Sequence, residues 1–517
     1  MSNKASDQLH KLIKAMTKPE KRYFKVFSSR HTSADDNKYV ALFDAIEAQK
    51  EFSEEELQKI FKGDPIVNNF SIAKNRLYDS ILRSLDIFHA QSSIDARLKK
   101  ELHCAEILYK KTLYDQCARL LSSARKLAIR YERYSTLLEI CQWEKKLTEK
   151  DNYSGKSDDD INNLLAVDEE IARKIKNLND FWNIKSRFFM LLNKTGKVRN
   201  AEEMKKFKAI ISHPLLKSDE QALTHETRYL YHHIYSAYYF GIDEYENSHQ
   251  HLAENIRLIE ENTDLFREEP NIYFSILTNA IYISSQLNKF GEAFELLEKL
   301  RKVPQTFEIG NNEDMEIKLF SSALSIEITL YNSMGEFERS SSLFPLIEDG
   351  LKKYEGRINP LRKGYFLLNL AVAHFGLEEY NKALKRVNEV LNDTGIAENQ
   401  DIHCFARIVD LIVHLELGNE DLIPYTYKST LRYLQTRKRV YKFENIFMDF
   451  ITKLMKHGNT QNPSGVYAEL AEELERLSKD PFERTAFEYF DFLSWAHHKA
   501  TRRSFREIVK EKILVKS

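Results

Sequence analysis

The phrase Phe240-Gly241-Ile242-Asp243-Glu244-Tyr245 returns 135 residues later as Phe375-Gly376-Leu377-Glu378-Glu379-Tyr380. Two looser copies lie between them, Leu287-Asn288-Lys289-Phe290 and Met334-Gly335-Glu336-Phe337. From aromatic to aromatic, Tyr245, Phe290, Phe337 and Tyr380 are 45, 47 and 43 residues apart. Each copy ends one amphipathic stretch and starts another, so each reads as a tight polar turn between two helices. A unit of this kind cannot bury its apolar face alone and must stack on its neighbours, which predicts a helical solenoid. In this reading Gly241 and Gly376 end helices, Tyr245 and Tyr380 wedge neighbouring hairpins, and the turn acids stay in water.

Composition agrees with long helices and short turns. Glycine and proline number only 15 and 10 in 517 residues, too few for phosphate-cradling loops. Hydrophobic content of 42% with 30% charged residues describes a folded chain rather than a disordered one. The 77 basic residues meet 78 acidic ones, a balance that argues against a coating for nucleic acid or anionic membrane. The start, Met1 to Asp7, carries no apolar signal region, and the most apolar stretch, Ile272 to Leu287, is too short and too polar to span a membrane. Cys104, Cys117, Cys141 and Cys404 have no paired spacing, which fits a reducing interior. A cytoplasmic location is expected.

The repeat is clearest from about residue 222 to 396. Leu367, Leu370, Ala371 and His374 mark one face of a first helix, and Ala383, Val387 and Val390 mark the packing face of a second. Leu367, Leu370-Ala371, Tyr380 and Ala383, with Leu277, Ala280-Ile281 and Ala293 in an earlier copy, resemble the tetratricopeptide repeat. Ser248 and Ser340 stand at the small-residue position of the other copies, and the period exceeds that family's usual 34 residues, so the helices or the loops must be longer. The resemblance implies an all-α fold, a right-handed superhelical solenoid of antiparallel helix hairpins, with Leu113 to Cys117 and Leu417 to Leu422 as further turns. The second helix after Leu422 is expected to run on towards Lys456. A Gly/Asn/Pro-rich break, Gly458 to Gly465, precedes two last helices, one starting near Asp480-Pro481. Phe492 and Trp495 close the stack, and Arg502 to Ser517 reads as a basic tail. The segment Tyr489 to Trp495 resembles segments of uncharacterised bacterial repeat proteins. Three regions are thus expected: a helical N-terminal domain over 1–95, the repeat array over 96–458, and capping helices with the tail over 459–517.

Five helices are expected in the N-terminal region, near Asp7 to Ala15, Pro19 to Phe27, Lys38 to Gln49, Ser53 to Phe61 and Asn69 to Phe88. The second is opened by the capping pattern Thr17-Lys18-Pro19-Glu20. The last two could form a helix-turn-helix presenting Lys74, Arg76 and Arg83 to DNA. Against this, Glu54, Glu55 and Glu56 would repel phosphates, and Lys74 and Arg76 do not share a helix face. A structural cap is the default.

Elsewhere the chemistry is sparse. His225, His232, His233, His249, His251 and the pair His497-His498 lack metal-ligand offsets, and no HExxH occurs. Thr195-Gly196-Lys197 lacks the upstream glycine of a P-loop and reads as a hairpin turn. Cys104 and Cys117 read as buried, inert thiols. No catalytic residues, cofactor or metal are expected. The resemblance implies a partner-binding groove lined by the first helices, carried over here to His233, Thr278, Asn279, Tyr282, Ser325, Thr329, Asn332, Tyr365 and Asn369. Asn279 and Asn369 occupy a position at which the family uses an amide to hold a ligand's main chain. The function this implies is a protein- or peptide-binding scaffold; the alternative is a peptide-responsive transcription regulator with a DNA-binding N-terminal domain.

Overall fold

The computed structural model describes residues 3–30, 36–198, 200–310, 312–396, 400–437, 441–457, 463–480, 483, 487 and 490–516. Among these residues all regular structure is helical, and no helix is long and apolar enough to cross a membrane. The chain forms two compact units, Met1–Ile175 and Lys176–Ser517.

The first unit holds α1 (Asn3–Ala15), α2 (Lys18–Arg30), α3 (Asp36–Ala48), α4 (Glu54–Ile60), α5 (Phe70–His89), α6 (Ile94–Lys110), α7 (Tyr114–Arg130), α8 (Tyr134–Lys150) and the first part of α9 (Asp158–Thr195). Its apolar side chains gather in two separate clusters. One joins α1 to α5 around Leu9, Phe24, Phe43, Leu57 and Leu77; the other joins α6 to α9 around Leu102, Leu121, Ile140 and Ile171. The expected capping box opens α2: Thr17 N–H donates to Glu20 at 2.6 Å, and Glu20 N–H to Thr17 Oγ1 at 3.4 Å.

The second unit continues with the rest of α9, α10 (Ala201–Ile211), α11 (His225–Gly241), α12 (Tyr245–Glu261), α13 (Thr263–Phe266), α14 (Pro270–Gln286), α15 (Phe290–Arg301), α16 (Val303–Thr306) and α17 (Glu313–Ser333). There follow α18 (Phe337–Ser342), α19 (Phe344–Lys353), α20 (Pro360–Gly376), α21 (Tyr380–Asn392), α22 (Gln400–Glu416), α23 (Ile423–Thr436), α24 (Lys442–His457), α25 (Pro463–Ser478), α26 (Phe492–Thr501) and α27 (Phe505–Lys516). Helices adjacent in sequence pack on one another, most extensively α11 with α12 and α20 with α21, then α14 with α15 and α25 with α26.

One backbone device makes these hairpins. Thr112, Glu132, Asp243, Asn288, Gly335, Glu378 and Gly418 all have positive φ, between 52° and 67°. After each, the next residue's N–H reaches back five residues, as in Glu244 N–H to Tyr239 O at 2.9 Å and Glu379 N–H to His374 O at 2.9 Å. This is the Schellman closure, which satisfies carbonyls the helix end would otherwise leave bare. Only two of these positions are glycine; the others hold a side chain in the left-handed region at some cost.

Gly241 and Gly376 are the last residues of α11 and α20, as the sequence suggested, but the left-handed residues that close those helices are Asp243 and Glu378. The two glycines lie where a Cβ would fall 2.7 Å from Phe207 and 2.3 Å from Phe337 respectively. Both are glycine because a neighbouring ring lies against the backbone. The turn acids are not all wet either. Asp243 is buried against Lys197, with Nζ 3.1 Å from its Oδ1, and Tyr245 Oη donates to the same carboxylate at 2.9 Å. Gly196 has φ +69° and follows α9, in agreement with the hairpin-turn reading of Thr195-Gly196-Lys197.

The small residues three places after each turn aromatic sit at the closest helix approach. Ala293 and Ala383 are fully buried, Ser248 Oγ donates to Ser236 O at 2.9 Å, and Cys117 Sγ to Ala105 O at 3.4 Å. The long period has a local cause. Pro304 opens the one-turn helix α16 directly after α15, and Pro345 opens α19 directly after α18, so second helices are broken rather than continuous.

Three expectations for the C-terminal region change. The helix after Leu422 stops at Thr436, and Lys442–His457 is separate. Pro463 and Gly465 belong to α25, whereas Gly458 to Gln461, Asn462 and Pro481 lie outside the described residues. The supposed basic tail is the helix α27. Phe505 stacks on Phe490 (centroids 5.7 Å apart) and on Phe337 (5.9 Å), and meets Phe375 edge-on at 5.4 Å. Lys510 pairs with Glu336 at 3.0 Å, and Arg506 with Glu338. The basic side chains thus bind the acidic turn between α17 and α18.

Candidate functional site

The residues expected to line a groove come from α11, α14, α17 and α20. Asn279, Thr329 and Tyr365 are exposed, while Thr278, Tyr282, Ser325 and Asn369 are half-buried. Two helices are joined here by a polar ladder. Asn332 Nδ2 donates to Asn369 O at 3.0 Å and lies 3.3 Å from its Oδ1, while Thr329 Oγ1 donates to Ser325 O at 2.7 Å and lies 3.2 Å from Asn369 Oδ1. Ser340 Oγ donates to Asn332 Oδ1 at 2.7 Å. Thr329, Asn332 and Asn369 are thereby brought together on α17 and α20.

The ladder changes the role of its members. Asn369 spends its oxygen on α17 and gives one N–H to Tyr365 O at 2.9 Å, so its amide is occupied within the chain. Asn332 is buried and bonded on both sides. Asn279 is the exposed amide of the pair. Thr278 and Ser285 return their hydroxyls to the carbonyls of Phe274 and Tyr282, respectively. Phe240 and Tyr282 meet edge-on at 5.9 Å, which ties α11 to α14.

His233 is not an open groove residue. Its ring stacks between Phe189 (4.8 Å) and Tyr229 (5.4 Å), and its buried Nδ1 has no partner among the described residues. Burial, with Lys185 nearby, pushes its pKa down to about 4. Beside it His232 and His251 approach Nδ1 to Nδ1 at 2.9 Å, so the ring that accepts must be neutral. Burial, and then His232, push His251 down to about 4 as well. Tyr235 and Tyr239 stack on His251, with Glu254, Asp219, Arg228 and Arg257 as the nearby charges.

The sign of the pH effect follows. Between about pH 6.5 and 4 the unfolded chain binds protons that the folded chain refuses, so stability is full above 6.5 and falls as pH drops. For His233 the loss is on the order of 3 kcal/mol. His233→Phe keeps the stack and should hold its stability to lower pH than the native chain, as read from urea midpoints at pH 7 and 4.5. Equal losses in both proteins would remove His233 from the account.

In the first unit the three cations proposed to meet DNA part company. Lys74 is 6% exposed, donates to Glu54 Oε2 at 2.7 Å and lies over the Phe70 ring at 5.1 Å. It joins α4 to α5 and cannot reach a phosphate. Arg76 and Arg83 are exposed one above the other on α5, and line an open cleft of about 780 Å³ with Phe27, Tyr39, Ile72 and Asp79. No three His, Cys, Asp or Glu side chains gather as a metal-ligand group among the described residues. Cys117, Cys141 and Cys404 are buried, and burial raises the Cys117 and Cys141 thiols. Comparison with family models, with curated proteins and with solved structures gives no match.

Proposed function

We propose that this protein is a non-enzymatic scaffold of the tetratricopeptide-repeat kind, which holds a protein or peptide partner along the first helices of a right-handed solenoid. The observation that carries the reading is the Asn332–Asn369 bond at 3.0 Å, which ties α17 to α20. It sets polar side chains of two successive first helices side by side, and Tyr365 on α20 and Asn279 on α14 stand exposed. An extended segment laid across such a face finds donors and acceptors for its main chain and aromatic surface for its side chains. Cysteines that form no disulfide among the described residues suit a reducing compartment, and we place the protein in the cytoplasm.

The test is capture of partners from the native cell by full-length protein, with bound chains identified by mass spectrometry. Asn279→Ala combined with Tyr365→Ala should reduce recovery of the main partner fivefold or more while leaving the thermal transition in place. Unchanged recovery rejects the face. The regulator reading is favoured by one observation, the shared exposure of Arg76 and Arg83. It requires DNA retention at low salt that Arg76→Ala with Arg83→Ala abolishes; no retention by the native chain ends it.

A further inference from the structure

Helix α22 breaks the pattern of its neighbours. Arg407 and Asp410 stand eleven and eight residues before the left-handed turn residue Gly418, where α20 carries Leu367 and Leu370 before Glu378. Thr430 stands where α21 carries Val390, twelve residues after the turn. The apolar seam of one hairpin is thus polar in the next. With His403 and His414 added, four polar side chains follow one face of α22 at spacings of four, three and four.

The substitution leaves buried polar atoms bare. His403 Nδ1, Arg407 Nε, Asp410 Oδ1 and Thr430 Oγ1 are all buried without a hydrogen-bond partner among the described residues, and Tyr433 Oη is buried beside the Arg437 guanidinium. Thr430 is fully buried, and His403 and Asp410 are 3% and 8% exposed. Bare atoms of this kind each cost on the order of 1 to 3 kcal/mol, so a cluster of them needs an occupant. The side chains also pack together. The Arg407 guanidinium lies 4.5 Å from the Tyr433 ring centre, that of Arg437 5.6 Å, and the His403 and Tyr433 rings are 5.1 Å apart. Arg407 Nη1 donates to the exposed Ser429 at 3.1 Å, so the cluster opens to solvent at that edge.

The chemistry of the set selects the ligand. Arg407 Nε, Thr430 Oγ1 and Tyr433 Oη are donors, and neither Arg407 nor Arg437 has a carboxylate at ion-pair distance among the described residues. His403 Nε2 faces the Leu391 carbonyl at 3.3 Å, which places the proton of the neutral ring there and a lone pair on Nδ1. Asp410 Oδ1 lies 3.7 Å from His414, whose Nδ1 meets the Asn419 amide at 3.0 Å; the Asp410 charge also acts on Arg407, beyond ion-pair distance. We propose that the face between α22 and α23 binds a small oxyanion, a phosphate or carboxylate group, held by Arg407, Thr430 and Tyr433, and by His403 once its ring takes up a second proton. Burial and the adjacent Arg407 hold His403 neutral without the anion. The anion reverses that, so binding takes up a proton and tightens as pH falls. The groups facing His403 are Arg407 on its own helix, Tyr433 and Arg437 on α23, and the Leu391 carbonyl of α21. This site is independent of the scaffold reading.

Full-length protein labelled at histidine Cε1 should be titrated with inorganic phosphate, with acetate and with a short phosphoserine peptide. The His403 resonance, assigned with His403→Gln, should shift saturably with at least one of them, and the affinity should rise at least threefold between pH 7.5 and 6. Thr430→Val, nearly the same shape, should weaken binding tenfold. Arg407→Gln should abolish it. Phosphate binding as tightly as the peptide identifies a free anion as ligand; a tenfold preference for the peptide identifies an anionic group carried by a partner. Absence of any saturable shift with all three probes, in a protein with its native thermal transition, overturns the proposal and leaves bridging water as the occupant. A shift that Thr430→Val does not weaken also overturns it, since the anion would then bind elsewhere.

Discussion

Asp243→Ala should lower the stability of the 176–517 unit by about 3 to 5 kcal/mol, the cost of leaving a buried partner charge alone. The Lys197 and Asp243 side chains are 11% and 6% exposed. Lys197 also donates to Tyr245 Oη at 2.7 Å and lies over the Phe240 and Tyr245 rings at 5.0 and 5.2 Å. Removing the carboxylate thus strands an ammonium among aromatic rings. The closure is local: Val198 N–H donates to Gly241 O at 2.8 Å, so α9, α10 and α11 are joined at this point. Hydrogen exchange at Val198 and Glu244 should quicken more than elsewhere in the unit. Asp243→Gly separates the two roles of the residue. It loses the ion pair but relaxes a φ of +59°, and should cost about 1 kcal/mol less than alanine. Alanine within 0.5 kcal/mol of the native chain, a margin about the size of an ordinary surface substitution, would mean that the pair contributes nothing.

Asp243 also marks what could be read from the sequence. The repeated phrase located the turns, because Schellman closures recur at fixed distance from an aromatic and a small residue. The N-terminal helices were visible for the same local reasons, a capping box at Thr17 and a 3.6-residue apolar period. The reasons behind individual letters were not visible. Gly241 and Gly376 do stand at helix ends, but what demands glycine there is the approach of Phe207 and Phe337, rings distant in sequence. Lys74 is a candidate DNA contact that the sequence already weakens, and its bond to Glu54 removes it. The turn at Glu132-Arg133-Tyr134 is hidden in the sequence because Tyr134 follows Tyr114 by only 20 residues, less than half the repeat period. The stripe His403, Arg407, Asp410, His414 did carry a signal: polar residues at helical spacing inside an otherwise apolar segment. Its meaning needed the register of the neighbouring hairpin, which sets those positions facing a second helix rather than water.

Phe505→Ala should cost about 3 to 5 kcal/mol and release α27. Phe505 is buried against Phe337, Phe375 and Phe490, and Val509 and Ile513 extend the contact along the same helix. A Cβ on Gly335 would meet Lys510 Cγ at 3.1 Å and Val509 at 3.3 Å, so the helix lies directly on the turn between α17 and α18. The ion pairs there are exposed and contribute little, so Lys510→Ala should stay within about 1 kcal/mol of the native chain. The two variants thus distinguish apolar docking from charge attraction. In Phe505→Ala, limited trypsin digestion should cut early at Arg502 and Arg503, and an apolar dye should bind the uncovered rings of Phe337, Phe375 and Phe490. A loss below 1 kcal/mol, with unaltered digestion, would show that the three rings hold together without α27. The outcome bears on the scaffold reading as well. Phe375 lies in the last turn of α20, which carries Tyr365 and Asn369, so α27 already occupies the turn end of that helix. A partner that needs this end must displace a helix held by a stacked phenylalanine, and such a partner should bind Phe505→Ala more tightly than the native chain. A partner bound at Asn279 and Tyr365 alone should not distinguish the two proteins.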